Sequence, residues 1–205
     1  HYVHHRPDGT PYPHHDMELA VVNAAVDAGI RITLLDTCYL HAGPGAPLGE
    51  DQTRFGDGSV KGWLERWHAL TDALPDSPLV TPGAALHSVR AVSPDEMATA
   101  VSGLPDRAPI HVHVSEQPRE NEECLAAHGL TPTAVLERAG ALSDRTTVVH
   151  ATHLSDDDIA MIARTDTIVS LCPTTEADLG DGIARVKDLL DACLLYTSPS
   201  PRDAT

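Results

Sequence analysis

The sequence predicts an α/β chain, part of a (β/α)8 TIM-type barrel with parallel strands, truncated at both ends. Three observations predict it. Strand-like and helix-like stretches alternate along the chain, which calls for a parallel sheet with right-handed crossovers. Four strands carry a polar group at or just past their C-terminal ends, namely His87, His113, His150 and Glu176, and barrels of this class build their active sites on that face. The alternative, an open doubly wound sheet, calls for a glycine-rich phosphate loop after a strand, and neither G-x-G-x-x-G nor a P-loop occurs.

The elements follow in order. Residues 1–15 hold His1, His4, His5, His14 and His15 among Pro, Gly and Asp, which reads as a loop with solvated histidines rather than a metal tract. Asp16 is a candidate N-cap for a helix over 17–28, with Leu19, Val22 and Val26 at helical spacing and Gly29 as its stop. A buried strand follows over 31–36, then a long Gly/Pro loop over 41–58, longer than a simple connection needs. Trp63, Leu64, Trp67 and Leu70 mark the next helix, and 79–86 reads as a weak strand interrupted by Pro82 and Gly83. Ser93-Pro94 opens a helix that closes near Gly103. The strand 109–115 precedes a helix over 119–128, and Thr131-Pro132 opens another, running to 139. After the strand 146–150, Ser155 to Asp158 cap a helix through Arg164; 167–172 reads as a strand, 173–182 as its loop, and 183–192 as the start of a helix.

Composition bounds the function. The chain has 205 residues and a formal net charge of -16, with no basic block, which argues against nucleic acid and anionic membrane surfaces as partners. No apolar run reaches membrane-spanning length and no signal peptide is visible. Cys38, Cys124, Cys172 and Cys193 are scattered without a C-x-x-C pair, the pattern of reduced thiols in a cytoplasmic protein. The chain opens in a polar loop without Met, and residues 193–205 have no helical or strand period and look like translated adaptor sequence. The expected organisation is therefore one partial hydrolase domain over 1–192 and a non-native tail over 193–205.

The chemistry centres on Ile110 to Glu116, where β-branched residues alternate with His111 and His113 and a carboxylate follows three positions after His113. A neutral imidazole is a good zinc ligand, and a carboxylate just past the strand can shuttle the proton of an activated water. Of the two histidines, His113 lies nearer the strand's C-terminal end. His150 ends the next strand, beside His113, whereas His153 lies past the turn and is read as structural. Arg90, just beyond another strand end with His87, suits a carboxylate. The only lysines, Lys61 and Lys187, lie away from strand ends. A site with two metals bridged by a carbamylated lysine is therefore not available, and one metal is the better reading.

Together these residues resemble a known family. Leu86-His87-Ser88-Val89-Arg90, His111 to Gln117, Val149 to His153, and Leu171 to Gly182 are similar to the formimidoylglutamate deiminase family, zinc enzymes of the amidohydrolase superfamily, and His1 to His5 and Thr33 to Gly43 also fit. The resemblance covers residues 1 to about 192. It implies His113 as a zinc ligand, Glu116 as the proton shuttle, His150 as the group that polarises the water or stabilises the tetrahedral intermediate, and Tyr2, His87 and Arg90 as holders of a substrate with carboxylates. It further implies an H-x-H ligand pair before residue 1 and an aspartate ligand after Ala192, so that the chain alone neither binds zinc tightly nor turns over. The expected activity of the longer parent is hydrolysis of N-formimidoyl-L-glutamate to N-formyl-L-glutamate and ammonia in histidine breakdown, with a homodimer left open. The alternatives are a superfamily deaminase acting on a nucleobase or triazine ring, and a barrel segment that only folds or binds.

Overall fold

The computed structural model describes residues 3–192. Strands β1 (Ile32–Cys38), β2 (Val80–Leu86), β3 (Ile110–Val114), β4 (Thr146–His150) and β5 (Ile168–Ser170) form one sheet in sequential order, and every neighbouring pair is parallel. Helix α1 (Asp16–Asp27) precedes the strands, and α2 (Val60–Ala73), α3 (Pro94–Gly103), α4 (Pro118–His128), α5 (Pro132–Arg138), α6 (Asp156–Arg164), α7 (Pro173–Leu179) and α8 (Val186–Ala192) lie between and after them. A doubly wound sheet reverses its strand order at a switch point. Here each crossover steps the same way, so the sheet is an arc of a (β/α)8-type barrel.

Period-2 alternation sorts the strand residues. On β3, Ile110, Val112 and Val114 are buried while His111 and His113 are half-buried. The buried set packs in one cluster with Trp63, Trp67, Met97, Leu136, Val148 and Ile162 from the flanking elements. Large apolar side chains buried to this extent contribute roughly 1.5–3 kcal/mol each. The two tryptophans also spend their polar edges inside: Trp63 Nε1–H donates to Asp36 Oδ1 (2.8 Å) and Trp67 Nε1–H to the Gly83 carbonyl (3.0 Å).

Several expectations are corrected. The strand expected to be weak, β2, pairs with β1 along all of its residues. Pro82 is tolerated because Ala84 N–H points to Pro109 O (2.8 Å), so a donor two residues earlier would face the side where β3 has not begun. The expected strand over 167–172 shrinks to β5, because Cys172 leaves the ladder to precede Pro173, the first residue of α7. The stretch 173–182, expected as a loop, thus holds a helix, closed by Gly180 at φ 70. The following helix starts at Val186 rather than 183. Asp16 is not an N-cap but the first residue of α1, which follows a 3-10 turn, Pro13–His15, with His15 left-handed at φ 56. The helix starts expected at Ser93, Thr131 and Ser155 form: Thr131 and Ser155 accept the Ala134 and Asp158 amides, while the Ser93 amide and hydroxyl donate to Glu96.

The histidine-rich loop is not uniformly solvated. His4 and His5 are 2% and 5% exposed, with their Nδ1 atoms 2.7 Å apart. They rest against an ion network centred on Arg66, whose guanidinium bonds Asp36, Asp57 and Glu18. Asp57 lies 3.5 Å from His5 Nε2. Burial, with the Arg66 charge behind it, lowers the His4 pKa to about 4. Period and composition do not reveal this, because the charges beside these rings, Asp36 on β1 and Arg66 on α2, are distant in sequence.

Candidate active site at the strand ends

The side of the sheet away from the helices gathers Thr37, His87, His111, His113 and Val149 around a cavity of about 120 Å³. His113 is set by β3. Its Nδ1–H donates to the His87 carbonyl (2.7 Å), which fixes the tautomer and leaves Nε2 with its lone pair. Burial holds the His113 pKa below the ordinary imidazole range, opposed by that hydrogen bond. Burial, with His113 and Arg90 nearby, pushes His87 down to about 3. Both rings are thus kept neutral, the form a metal ligand requires.

His150 reaches the site by breaking alternation. The register pairs His113 with Val149, and Val114 with His150. A regular strand would therefore send His150 to the helix side with Val114. Instead His150 has φ 74 and Ala151 φ 53, and the imidazole stacks on His113 with ring centroids 5.5 Å apart. Left-handed backbone at a non-glycine residue costs about 1–2 kcal/mol. Here it is held by two hydrogen bonds to the end of β3, Ala151 N–H to Val114 O and His153 N–H to Ser115 O, both 3.0 Å.

The carboxylate is delivered the same way. Ser115 has φ 50, and the chain turns so that Glu116 Oε1 lies 3.3 Å from His150 Nε2 and Oε2 lies 3.9 Å from Arg90 Nη2. Arg90 Nε is buried without a hydrogen-bond partner among the described residues. On the other side of the ring, Glu176 Oε1 lies 3.0 Å from His150 Nδ1.

Of the residues predicted for the site, the structure brings His113, Glu116, His150, His87 and Arg90 together; Tyr2 lies outside the described residues, as does the tail 193–205. His153 stays structural, but not as a helix cap: its ring nitrogen bonds the Asp181 carbonyl (2.6 Å), and Ser155 caps α6. Lys61 and Lys187 pair with Glu65 and Asp191 on exposed helix faces. The sequence offers Glu176 as a polar group just past the last strand, but not its contact with His150.

Residues 8–197 match the amidohydrolase family over nearly the whole chain. The chain belongs to that family. This amidohydrolase chain is 40% identical over 196 residues to the formimidoylglutamate deiminase of Pseudomonas aeruginosa, covering 93% of this chain and 42% of that protein. It is 29% identical to a 5-methylthioadenosine/S-adenosylhomocysteine deaminase of Thermodesulfovibrio yellowstonii, covering 83% and 37% respectively. Among solved structures, an amidohydrolase from Brucella melitensis matches with a TM-score of 0.89 at 36% identity, over 99% of this chain and 46% of that one. An adenosine deaminase from Xanthomonas campestris with bound zinc shares the fold, with a TM-score of 0.70 at 23% identity, over 85% of this chain and 38% of that one. The amidohydrolase chain thus spans less than half the length of these relatives. The resemblance read from its motifs is borne out, and so is the partial barrel.

Amidohydrolases are typically metal-dependent, and His113 has the chemistry of a metal ligand. A neutral, half-buried His113 with its Nδ1–H already spent on a carbonyl has only Nε2 to offer, which is what a ligand to zinc needs. Among the described residues, no helix is long and apolar enough to cross a membrane.

Proposed function

We propose that the protein to which this chain belongs is a zinc-dependent deiminase that converts N-formimidoyl-L-glutamate and water to N-formyl-L-glutamate and ammonia. The observation that carries the reading is the meeting of His113, Glu116 and His150 at one mouth, with Arg90 alongside and its buried Nε unsatisfied. The likeness to formimidoylglutamate deiminase supports it.

Zinc, with His113 among its ligands, would supply a water acidic enough to react near neutral pH. Glu116 is placed to accept that proton as oxygen adds to the formimidoyl carbon, and to return it to the departing nitrogen, so that ammonia leaves and a formyl group remains. His150, whose Nε2 lies 3.3 Å from Glu116, would polarise the water or stabilise the tetrahedral intermediate. Arg90 offers a fork of donors to a substrate carboxylate, and a neutral ring would leave it unused.

The test is a substrate comparison with the full-length zinc-loaded protein. N-formimidoyl-L-glutamate should give ammonia and N-formyl-L-glutamate in equal amounts, while adenosine-type and triazine rings give none. Arg90→Met should lower kcat/KM for the amino-diacid roughly 10- to 100-fold, the loss of one charged hydrogen-bond set. Turnover of a ring with none of the amidine, or an Arg90→Met variant as active as its parent, overturns the assignment.

A further inference from the structure

We propose that Glu176 is a positioning residue that sets the tautomer and aim of His150. The inference rests on the deiminase reading for its kinetic consequences, but not for its structural content.

The imidazole of His150 sits between two carboxylates: Glu176 Oε1 is 3.0 Å from Nδ1, and Glu116 Oε1 is 3.3 Å from Nε2. The His150 and Glu176 side chains are each about 6% exposed, so water does not compete for Nδ1. A carboxylate there accepts a hydrogen bond from Nδ1–H, which fixes the ring and turns Nε2 toward Glu116, from which Nε2 can accept once that carboxyl has taken a proton. The strained backbone of His150 makes such a tether necessary. The left-handed turn swings the ring off the side that alternation assigns to it, and Glu176 holds it where it lands.

The holder is itself held. Glu176 Oε1 also accepts Cys172 N–H (2.9 Å) across the first turn of α7, and the Glu176 carbonyl accepts Asp181 N–H (2.9 Å). Asp181 in turn bonds Gln117 Nε2 through its side chain (2.9 Å) and His153 through its carbonyl (2.6 Å). The segment after β5 is thus lashed to the ends of β3 and β4, and it places one carboxylate oxygen behind the ring. Removing such an orienting partner typically costs 10- to 100-fold in function.

The experiment compares the full-length zinc-loaded protein with its Glu176→Ala and Glu176→Gln variants, using 15N-labelled histidine. The His150 signals, identified by their loss in a His150→Asn variant, should show the proton on Nδ1 in the parent and a mixture or the other tautomer in Glu176→Ala. Glu176→Ala should lose about 10- to 100-fold in kcat with KM within about twofold and zinc content intact. Glu176→Gln, whose amide oxygen can still accept from Nδ1–H, should restore the tautomer and most of kcat. A parent with the proton on Nε2, or unchanged His150 signals in Glu176→Ala, overturns the proposal; so do equal losses in Ala and Gln. If Glu176→Ala fails to fold, the parent's tautomer and the Gln variant decide. A protein inactive on the amidine but showing the expected tautomer shift refutes the substrate assignment and leaves the tether standing.

Discussion

The catalytic assignment at the residue scale turns on Glu116, the one carboxylate among the described residues that lies within ion-pair distance of both His150 and Arg90. On the proposed reading, which gives the ligand role to His113, Glu116→Gln in the full-length protein should keep its metal content and lose about 10²- to 10⁴-fold in kcat. Metal analysis beside steady-state kinetics checks both halves, and full activity would remove Glu116 from the proton path. Much of this site was legible in the letters: His113 and Glu116 by spacing on one strand, His150 by its place on the next. What was not legible is how His150 gets there. Alternation counts faces, and no residue type at 150 or 151 advertises a positive φ. The tether from Glu176 was hidden for a related reason, since 173–182 lacks the apolar period that announces a helix and its fold depends on Pro173 and Gly180.

The elements show the same division between what a pattern dictates and what packing adds. Helix starts were legible where a Ser or Thr cap coincides with Pro or a returning carboxylate, as at Ser93, Thr131 and Ser155. Helix α2 adds a constraint that no pattern shows. A Cβ at Gly62 would lie 2.6 Å from the Asp57 carbonyl oxygen, and that is backbone, not a side chain that can turn aside. Asp57 is also where Arg66 and His5 anchor the incoming chain. Gly62→Ala should therefore destabilise by about 1–3 kcal/mol, despite alanine's higher helix propensity, and denaturant melts would show it. A neutral or stabilising effect would mean that the loop before α2 yields freely.

For the whole molecule, the buried histidines predict acid sensitivity. The His4 pKa falls from 6.5 in the unfolded chain to about 4 when folded, mainly through burial and then through Arg66. Between those values the unfolded state binds more protons, so stability falls as pH drops below 6.5 and the loss is complete below about 4. The shift corresponds to roughly 3 kcal/mol. His87, pushed to about 3, and His5, His15, His111 and His113, also lowered, act in the same direction, while Glu18, raised by burial, offsets part of the loss. Denaturation midpoints measured between pH 7 and pH 4 should fall steadily, and His4→Gln should flatten the slope; an unchanged slope would place the acid response elsewhere. The sheet has a second consequence at this scale. Among the described residues β1 pairs only with β2 and β5 only with β4, so the outer rim of each strand has no strand partner there. Such a rim is a template for any strand of matching direction. This polypeptide should therefore self-associate edge to edge as its concentration rises, and sedimentation across a dilution series checks it.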